Sequence, residues 1–197
     1  NGADSTLTNL VNDSAAAITG DNYVGGIAGS NEGTISANAQ ELINRGTITG
    51  VQYVGGVAGE NTGKIENTNN DVDLHVKEGA TDAKYFGGVA GINTDSGTIT
   101  NATNRADVSA DGASYVGGVV GKNDGVLSGM NGNYGTVSGK DFVGGVAGEN
   151  TQALSGVNAV NQGDVTAKEG GAGGIFAVNS GEITDSTFTS SGTVSGT

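Results

Sequence analysis

The chain has 197 residues, among them 38 glycines, and it contains no proline, cysteine or tryptophan. Its 21 acidic residues outnumber the 8 basic ones and give a net charge of −13, which excludes nucleic acid and anionic membrane surfaces as partners. Without cysteine there is no disulfide, thiolate metal site or thiol redox chemistry. The glycine content does not indicate collagen, because no Gly-X-Y triplet recurs. No apolar run is long enough to predict insertion into a membrane.

A seven-residue glycine motif recurs along the chain and defines its repeat. The first copy, residues 23–29, reads YVGGIAG. Later copies begin at Tyr53, Tyr85, Tyr115 and Phe142, with a degraded copy, GGIFA, at Gly173. Residues 5–22 supply part of an earlier unit. We therefore expect one domain, residues 1–197, whose repeat units of about 30 residues start near residues 23, 53, 85, 115, 142 and 171.

Two further positions in each unit are aliphatic. The first of these columns is Ile35, Ile65, Ile99, Leu127, Leu154 and Ile183. The second, which is the third aliphatic column when the glycine motif is counted as the first, is Ile48, Leu74, Val108, Val137, Val165 and Val194. Leu7 and Ile18 take the places of Ile35 and Ile48 in the earlier unit. Each unit thus has three short segments of strand-forming residues, separated by glycine, asparagine and aspartate, which favour turns.

This repeat predicts an all-β fold. No segment has helical periodicity, and one unit is too small to bury its own apolar face, so neighbouring units must stack and share a core. We expect a single-stranded parallel β-helix (a β-solenoid) with three short strands per turn and about six and a half turns, stacked at a strand spacing of ~4.8 Å. The bias of parallel crossovers predicts a right-handed coil.

Fixed polar and aromatic positions support stacking. One column of asparagines follows the glycine motif: Asn31, Asn61, Asn93, Asn123, Asn150 and Asn179. We expect their amides to bond from turn to turn as a ladder. The aromatic residues that begin the motif, from Tyr23 to Phe142, predict a second ladder of stacked rings. The Gly-Gly pair predicts a tight bend or bulge where no Cβ fits.

These residues resemble the GLUG motif, a Gly-Gly-hydrophobic-x-Gly repeat followed by Asn-x-Gly-x-Ile. Residues 25–35, GGIAGSNEGTI, match it closely, and the resemblance covers most of the chain, departing at residues 151–153, where the Asn-x-Gly turn is lost. GLUG-type repeats occur in secreted or wall-anchored bacterial proteins, including adhesin-like proteins and immunoglobulin A-cleaving zinc metallopeptidases. The resemblance therefore implies an extracellular location. Because the chain starts at Asn1 without a signal peptide, we expect it to be a fragment of a longer protein.

The sequence offers no catalytic constellation. The zinc metallopeptidases need His-Glu-x-x-His, whereas this chain has one histidine, His75. Paired carboxylates could hydrolyse glycosides, but such a cleft needs aromatic sugar platforms, and the tyrosines belong to the predicted ladder. Rows such as Thr47-Ile48-Thr49 resemble an ice-binding array, but acidic residues interrupt them in other turns. We therefore expect no enzyme activity, no catalytic or cofactor-binding residues and no cofactor.

One stretch leaves a cation site open. In residues 71–76, DVDLHV, strand alternation places Asp71, Asp73 and His75 on one face. Alternatively, Leu74 joins the core column and His75 faces solvent, in the place held by serine or threonine in other turns. Asp73 and Asp107 occupy the same outward place in adjacent turns, where oxygen ligands would favour calcium over zinc. The competing interpretation is that these carboxylates extend into water and bind no ion.

The function that these observations favour is a non-catalytic stalk or adhesive repeat module of a secreted or surface bacterial protein. It would present one solenoid face to a host protein or glycan and adjoin other domains of the same polypeptide. The alternative is an accessory region that positions substrate for a secreted immunoglobulin A-cleaving metallopeptidase. A fold of this kind is compatible with either, since a fold does not by itself determine a function.

Overall fold

The computed structural model describes residues 1–12, 16–37 and 43–197. Every regular element in these ranges is a β-strand, and each strand pairs in parallel with the equivalent strand of the neighbouring coil. The strands stack into a solenoid of about six turns. The predicted all-β parallel β-helix is thus confirmed.

The strands form four long sheets, numbered here in the order that a coil meets them after the start of the glycine motif. Sheet 1 contains β3 (Ala17–Thr19), β4 (Asn22–Gly25), β8 (Thr47–Gly50), β9 (Gln52–Gly55), β13 (Asp73–Val76), β14 (Lys84–Gly87), β18 (Val108–Gly117), β22 (Val137–Gly144), β26 (Val165–Ala167), β27 (Ala172–Gly173) and β31 (Val194–Ser195). Sheet 2 contains β5 (Ala28–Asn31), β10 (Ala58–Asn61), β15 (Ala90–Asn93), β19 (Val120–Asn123), β23 (Ala147–Asn150) and β28 (Phe176–Asn179).

Sheets 3 and 4 complete each coil. Sheet 3 contains β1 (Thr6–Thr8), β6 (Thr34–Ser36), β11 (Lys64–Glu66), β16 (Thr98–Thr100) and β20 (Val126–Ser128), and the pair β24 (Leu154–Ser155) and β29 (Ile183–Thr184) takes its place in the last two coils. Sheet 4 contains β2 (Val11–Asn12), β7 (Ile43–Asn44), β12 (Asn69–Asn70), β17 (Thr103–Asn104), β21 (Met130–Asn133), β25 (Asn158–Asn161) and β30 (Thr187–Ser190).

A typical coil therefore has five short strands where the sequence pattern predicted three. The glycine motif itself supplies two, because the Gly-Gly turn divides it between sheets 1 and 2. The fifth strand lies in sheet 4, whose residues are largely polar and so carried no aliphatic signal. In two coils the two strands of sheet 1 merge into one, β18 and β22.

The aliphatic columns line the interior, as predicted. Ile65, Ile99, Leu74 and Val108 are completely buried. In the last coil the same positions are open, and Ile183 and Val194 are 38% and 43% exposed. Burial in a solenoid requires a coil on each side, and the last described coil has a neighbour on one side only.

The interior is divided into two apolar clusters by a contact across the coil. Val54 and Val108 belong to one cluster, and Val57 and Ala102 belong to the other. The chain passes between the clusters at two places, the Gly-Gly turn and the buried asparagine of sheet 4. At these places the second glycine of the pair faces the asparagine amide; the contacts are Gly56 with Asn70, Gly88 with Asn104, Gly118 with Asn133 and Gly145 with Asn161.

Glycine is required at these positions because a side chain has no space there, and not because of the backbone conformation. A Cβ on Gly118 would overlap the side chain of Asn133 and the carbonyl oxygen of Gly145 in the next coil. A Cβ on the first glycine of the pair, Gly117, would overlap the carbonyl oxygen of Val120. Neither residue has a positive φ. The predicted tight bend without room for a Cβ is confirmed.

We expect Gly118→Ala to destabilise the fold by about 2 kcal/mol or more, since the added methyl group must displace backbone or the buried Asn133 amide. Gly171→Ala is the matched control, because its Cβ would meet no heavy atom within 4 Å. That change should be neutral or slightly stabilising. Urea denaturation followed by circular dichroism measures both, and equal losses of stability would contradict the contact across the coil.

A second pair of variants tests the orientation of sheet 1. Val108 is completely buried, and its neighbour Ser109 is exposed. Val108→Asp places an unpaired charge in the core and should cost several kcal/mol, enough to unfold neighbouring coils. Ser109→Asp should cost less than about 0.5 kcal/mol. Thermal melting of the two variants is the measurement. Similar melting temperatures would contradict the assignment of the buried and exposed faces of this strand.

Candidate functional site

The predicted asparagine ladder runs the length of the solenoid. Each amide nitrogen donates to the amide oxygen of the next coil at 2.7–2.8 Å, from Asn31 through to Asn179. The same nitrogen donates to a carbonyl of its own turn, so both of its hydrogens are used. The turn at residues 151–153, where the sequence departs from the GLUG pattern, keeps this arrangement, since Asn150 donates to the carbonyl of Gln152 at 2.8 Å.

A second, equally buried asparagine ladder lies in sheet 4, and the sequence analysis missed it. Asn70, Asn104, Asn133 and Asn161 are linked by amide hydrogen bonds of 2.8 Å, and Asn161 donates to the Ser190 hydroxyl at 3.3 Å. A signal was present, because Asn-x-Gly recurs at residues 133–135 and 161–163, four residues before the third aliphatic column. These are the amides that the glycine pairs contact.

The aromatic ladder is also confirmed. Tyr23, Tyr53, Tyr85, Tyr115 and Phe142 stack with ring centroids 4.8–5.3 Å apart and interplanar angles of 7–24°. The inner rings of the ladder are therefore covered on both faces, and all five rings are at least partly exposed.

Each residue of the aromatic ladder has a strained backbone conformation. All five residues have a positive φ, between 52° and 62°, and they lie outside the strand register, which pairs Asn22 with Gln52 and Val24 with Val54. This conformation costs a non-glycine residue about 1–2 kcal/mol. A stacked ring pair contributes about 0.5–1.5 kcal/mol beyond its burial, which offsets that cost. Stacking thus keeps an aromatic residue where glycine would be the relaxed choice.

Two rows of side chains flank the ladder, and together with it they form what we call the aromatic face. The row in sheet 1 is Asn22, Gln52, Lys84, Ser114 and Asp141. The row in sheet 2 is Ser30, Glu60, Ile92, Lys122, Glu149 and Val178. The sheets approach closely here, since a Cβ on Gly91 would lie 2.6 Å from the carbonyl carbon of Tyr53. All of these residues are at least partly exposed.

Each of the two lysines of the face lies close to a partner group. Lys122 lies 2.9 Å from Asp124, and the ammonium of Lys84 lies 5.4 Å from the centre of the Tyr85 ring. Burial lowers the pKa of Lys122, but the hydrogen bond and charge of Asp124 outweigh it and raise the pKa. Burial raises the pKa of Tyr85, opposed by the Lys122 charge, so the phenol keeps its proton. Its hydroxyl can therefore donate as well as accept a hydrogen bond.

His75 takes the outward place that the core alignment predicts. It pairs with Thr49 on one side and Ser109 on the other, while Leu74 is buried. Asp71 forms an ion pair with Arg105 at 3.7 Å. Across residues 1–12, 16–37 and 43–197, no group of three or more His, Cys, Asp or Glu side chains is placed to hold a metal.

The outward aspartates of sheet 1 bond to backbone. The Asp73 carboxylate accepts a hydrogen bond from the backbone N–H of Asp107 at 3.0 Å, and the Asp107 carboxylate accepts one from Thr136 at 2.8 Å. Asp164 repeats the contact with Thr193 at 2.7 Å. The two carboxylates do lie in adjacent coils, as predicted, but each has an oxygen engaged by the following coil. Both interpretations of this row stay predictions.

Comparison of the chain with models of known protein families, with curated proteins and with solved structures finds no match. The described part of the chain holds no long apolar helix of the kind that crosses a membrane.

Calcium titration with thermal melting tests the aspartate row. We expect the melting temperature to stay the same between chelator and millimolar calcium, because backbone N–H groups already occupy one oxygen of Asp73 and Asp107. Asp107→Asn, which keeps an oxygen acceptor for Thr136, should leave this result unchanged. A calcium-dependent rise that Asp107→Asn abolishes would instead establish the site.

Proposed function

We propose that the chain is a non-catalytic repeat module of an extracellular bacterial protein, acting as a stalk and as an adhesive surface for a host protein or glycan. The observation that carries the proposal is the aromatic face, a half-exposed row of four phenols and one phenyl group held by stacking at a constant period. Side chains fixed in this way contact a ligand without the entropy cost of ordering them.

The construction of the coil supports the stalk role. Two buried amide ladders and the ring ladder join neighbouring coils through side chains as well as backbone. Each added coil extends such a solenoid by ~4.8 Å without changing its cross-section. The resemblance to GLUG-type repeats, together with the acidic and cysteine-free composition, supports a bacterial surface or secreted protein as the setting.

A binding panel tests this proposal. The purified chain is applied to arrayed host glycans, extracellular-matrix proteins and immunoglobulin A, and each mixture is also assayed for cleavage products. We expect binding without turnover, and we expect the unfolded Val108→Asp variant to lose it. Binding confined to immunoglobulin A would favour the accessory region of a metallopeptidase. Product formation, or no binding anywhere on the panel, would contradict the proposal.

A further inference from the structure

We propose that the aromatic face binds a linear, uncharged polysaccharide of equatorially linked pyranoses, lying along the solenoid axis. This assignment rests on the proposed function, because it names the face and the ligand class that the adhesive surface would use. Three properties of the face support it: its period, its hydrogen-bonding groups and its charge.

The period of the face matches the period of such a polymer. The ring centroids from Tyr23 to Phe142 are separated by 4.8–5.3 Å at every step. An extended chain of equatorially linked pyranoses advances by nearly the same distance for each sugar. Successive sugars can therefore meet the phenols of successive coils, and each further contact forms within a complex that is already bound.

The exposed groups of the face suit sugar hydroxyls. Because the rings cover one another's faces, a sugar cannot stack flat on them and instead meets ring edges and phenol hydroxyls. Each phenol both donates and accepts, as a sugar hydroxyl does. Gln52 and Glu60 lie in the rows on either side of Tyr53 and supply further amide and carboxylate partners. The site thus combines a narrow aromatic centre with flanking rows that are polar except at Ile92 and Val178.

The charges of the face and of the chain select against anionic polymers. The net charge of −13 repels polyanions. The two lysines of the face provide no free cationic site, since Lys122 pairs with Asp124 and Lys84 lies beside the Tyr85 ring. Glu60, Lys122 and Glu149 border the rings, whereas the core of a protein interface is depleted of charged residues, so a glycan fits this face better than a protein does. An uncharged glycan avoids this repulsion and needs no ionic partner on the face.

The geometry is also prepared before any ligand arrives. The positive φ of each ladder residue and the stacking of its ring fix the direction of the hydroxyl. Tyrosine gives a large amphipathic contact at low conformational-entropy cost even when it is free to move. Fixing four of them in a row reduces that cost further. Weak individual hydrogen bonds can therefore sum to useful affinity.

Calorimetric titration with β-1,4-linked oligosaccharides of glucose and of N-acetylglucosamine, from dimers to hexamers, measures the binding. We expect affinity to rise with each added sugar until the ligand spans the ladder, at about four or five sugars, and then to level off. Heparin, a polyanion, should not bind. The titrations use the full 197-residue chain.

Tyr85→Phe removes one hydroxyl and keeps the stacked ring. The loss of one neutral hydrogen bond should weaken binding by about two- to tenfold. Tyr53→Phe combined with Tyr85→Phe should weaken it further, with the melting temperature unchanged. Tyr134→Phe is the matched control, because Tyr134 is 45% exposed and lies outside the aromatic face. It should bind as tightly as the parent chain.

Three outcomes would overturn the assignment. They are no affinity for any uncharged oligosaccharide, equal effects of Tyr85→Phe and Tyr134→Phe on oligosaccharide affinity, or binding of heparin more tightly than of the neutral oligosaccharides. Its failure is distinguishable from failure of the proposed function. A chain that binds a host protein on the panel but no neutral oligosaccharide loses the glycan assignment and keeps the adhesive role. A chain that binds oligosaccharides but no host molecule keeps the glycan site and loses the host-directed role.

Discussion

In four successive coils, the contact between the second glycine of the pair and a buried asparagine of sheet 4 determines the cross-section. A buried amide that loses its hydrogen-bond partners costs about 1–3 kcal/mol, so the Asn104 side chain must keep both its axial and its turn acceptors. It keeps them only if the opposite wall has no side chain, which is the role of Gly88. At this point the gap between the two walls of the coil is therefore only wide enough for one amide group. The two apolar clusters fill the interior on the two sides of this contact.

The narrow cross-section also explains the exposed ladder. Where sheets 1 and 2 diverge from the glycine pair, the glycine of sheet 2 lies against the backbone of the ring residue, as Gly91 does against Tyr53. The ring residue is left out of the strand register and adopts a left-handed conformation with its side chain outside. In-register stacking then brings each ring onto the next. The aromatic ladder on the surface is thus a consequence of the glycines in the interior.

How much of this could be predicted from the sequence depends on local signals. The aliphatic columns, the first asparagine ladder, the ring ladder and the place of His75 were predictable, because all of them repeat in phase with a conspicuous motif. The positive φ of Tyr85 was not, since bulky residues avoid that region and only stacking between coils compensates. The pairing partner of Asp73 was not predictable either. Spacing placed its carboxylate next to Asp107 but gave no information that a backbone N–H, rather than a cation, would satisfy it.

The variation in coil length shows which parts of the repeat are constrained. Each ring residue precedes the asparagine of the first ladder by eight residues, as Tyr53 precedes Asn61, and each asparagine of the second ladder precedes the third aliphatic column by four. The connection from Leu74 to Tyr85 is eleven residues, whereas that from Val137 to Phe142 is five. Insertions are thus confined to the connections outside these two segments. Because the first segment carries the ring and the glycine pair, and the second begins at the asparagine opposite, the ring period persists while coil length changes. A ligand bound along the aromatic face would therefore meet rings at a regular spacing, although the coils differ in length.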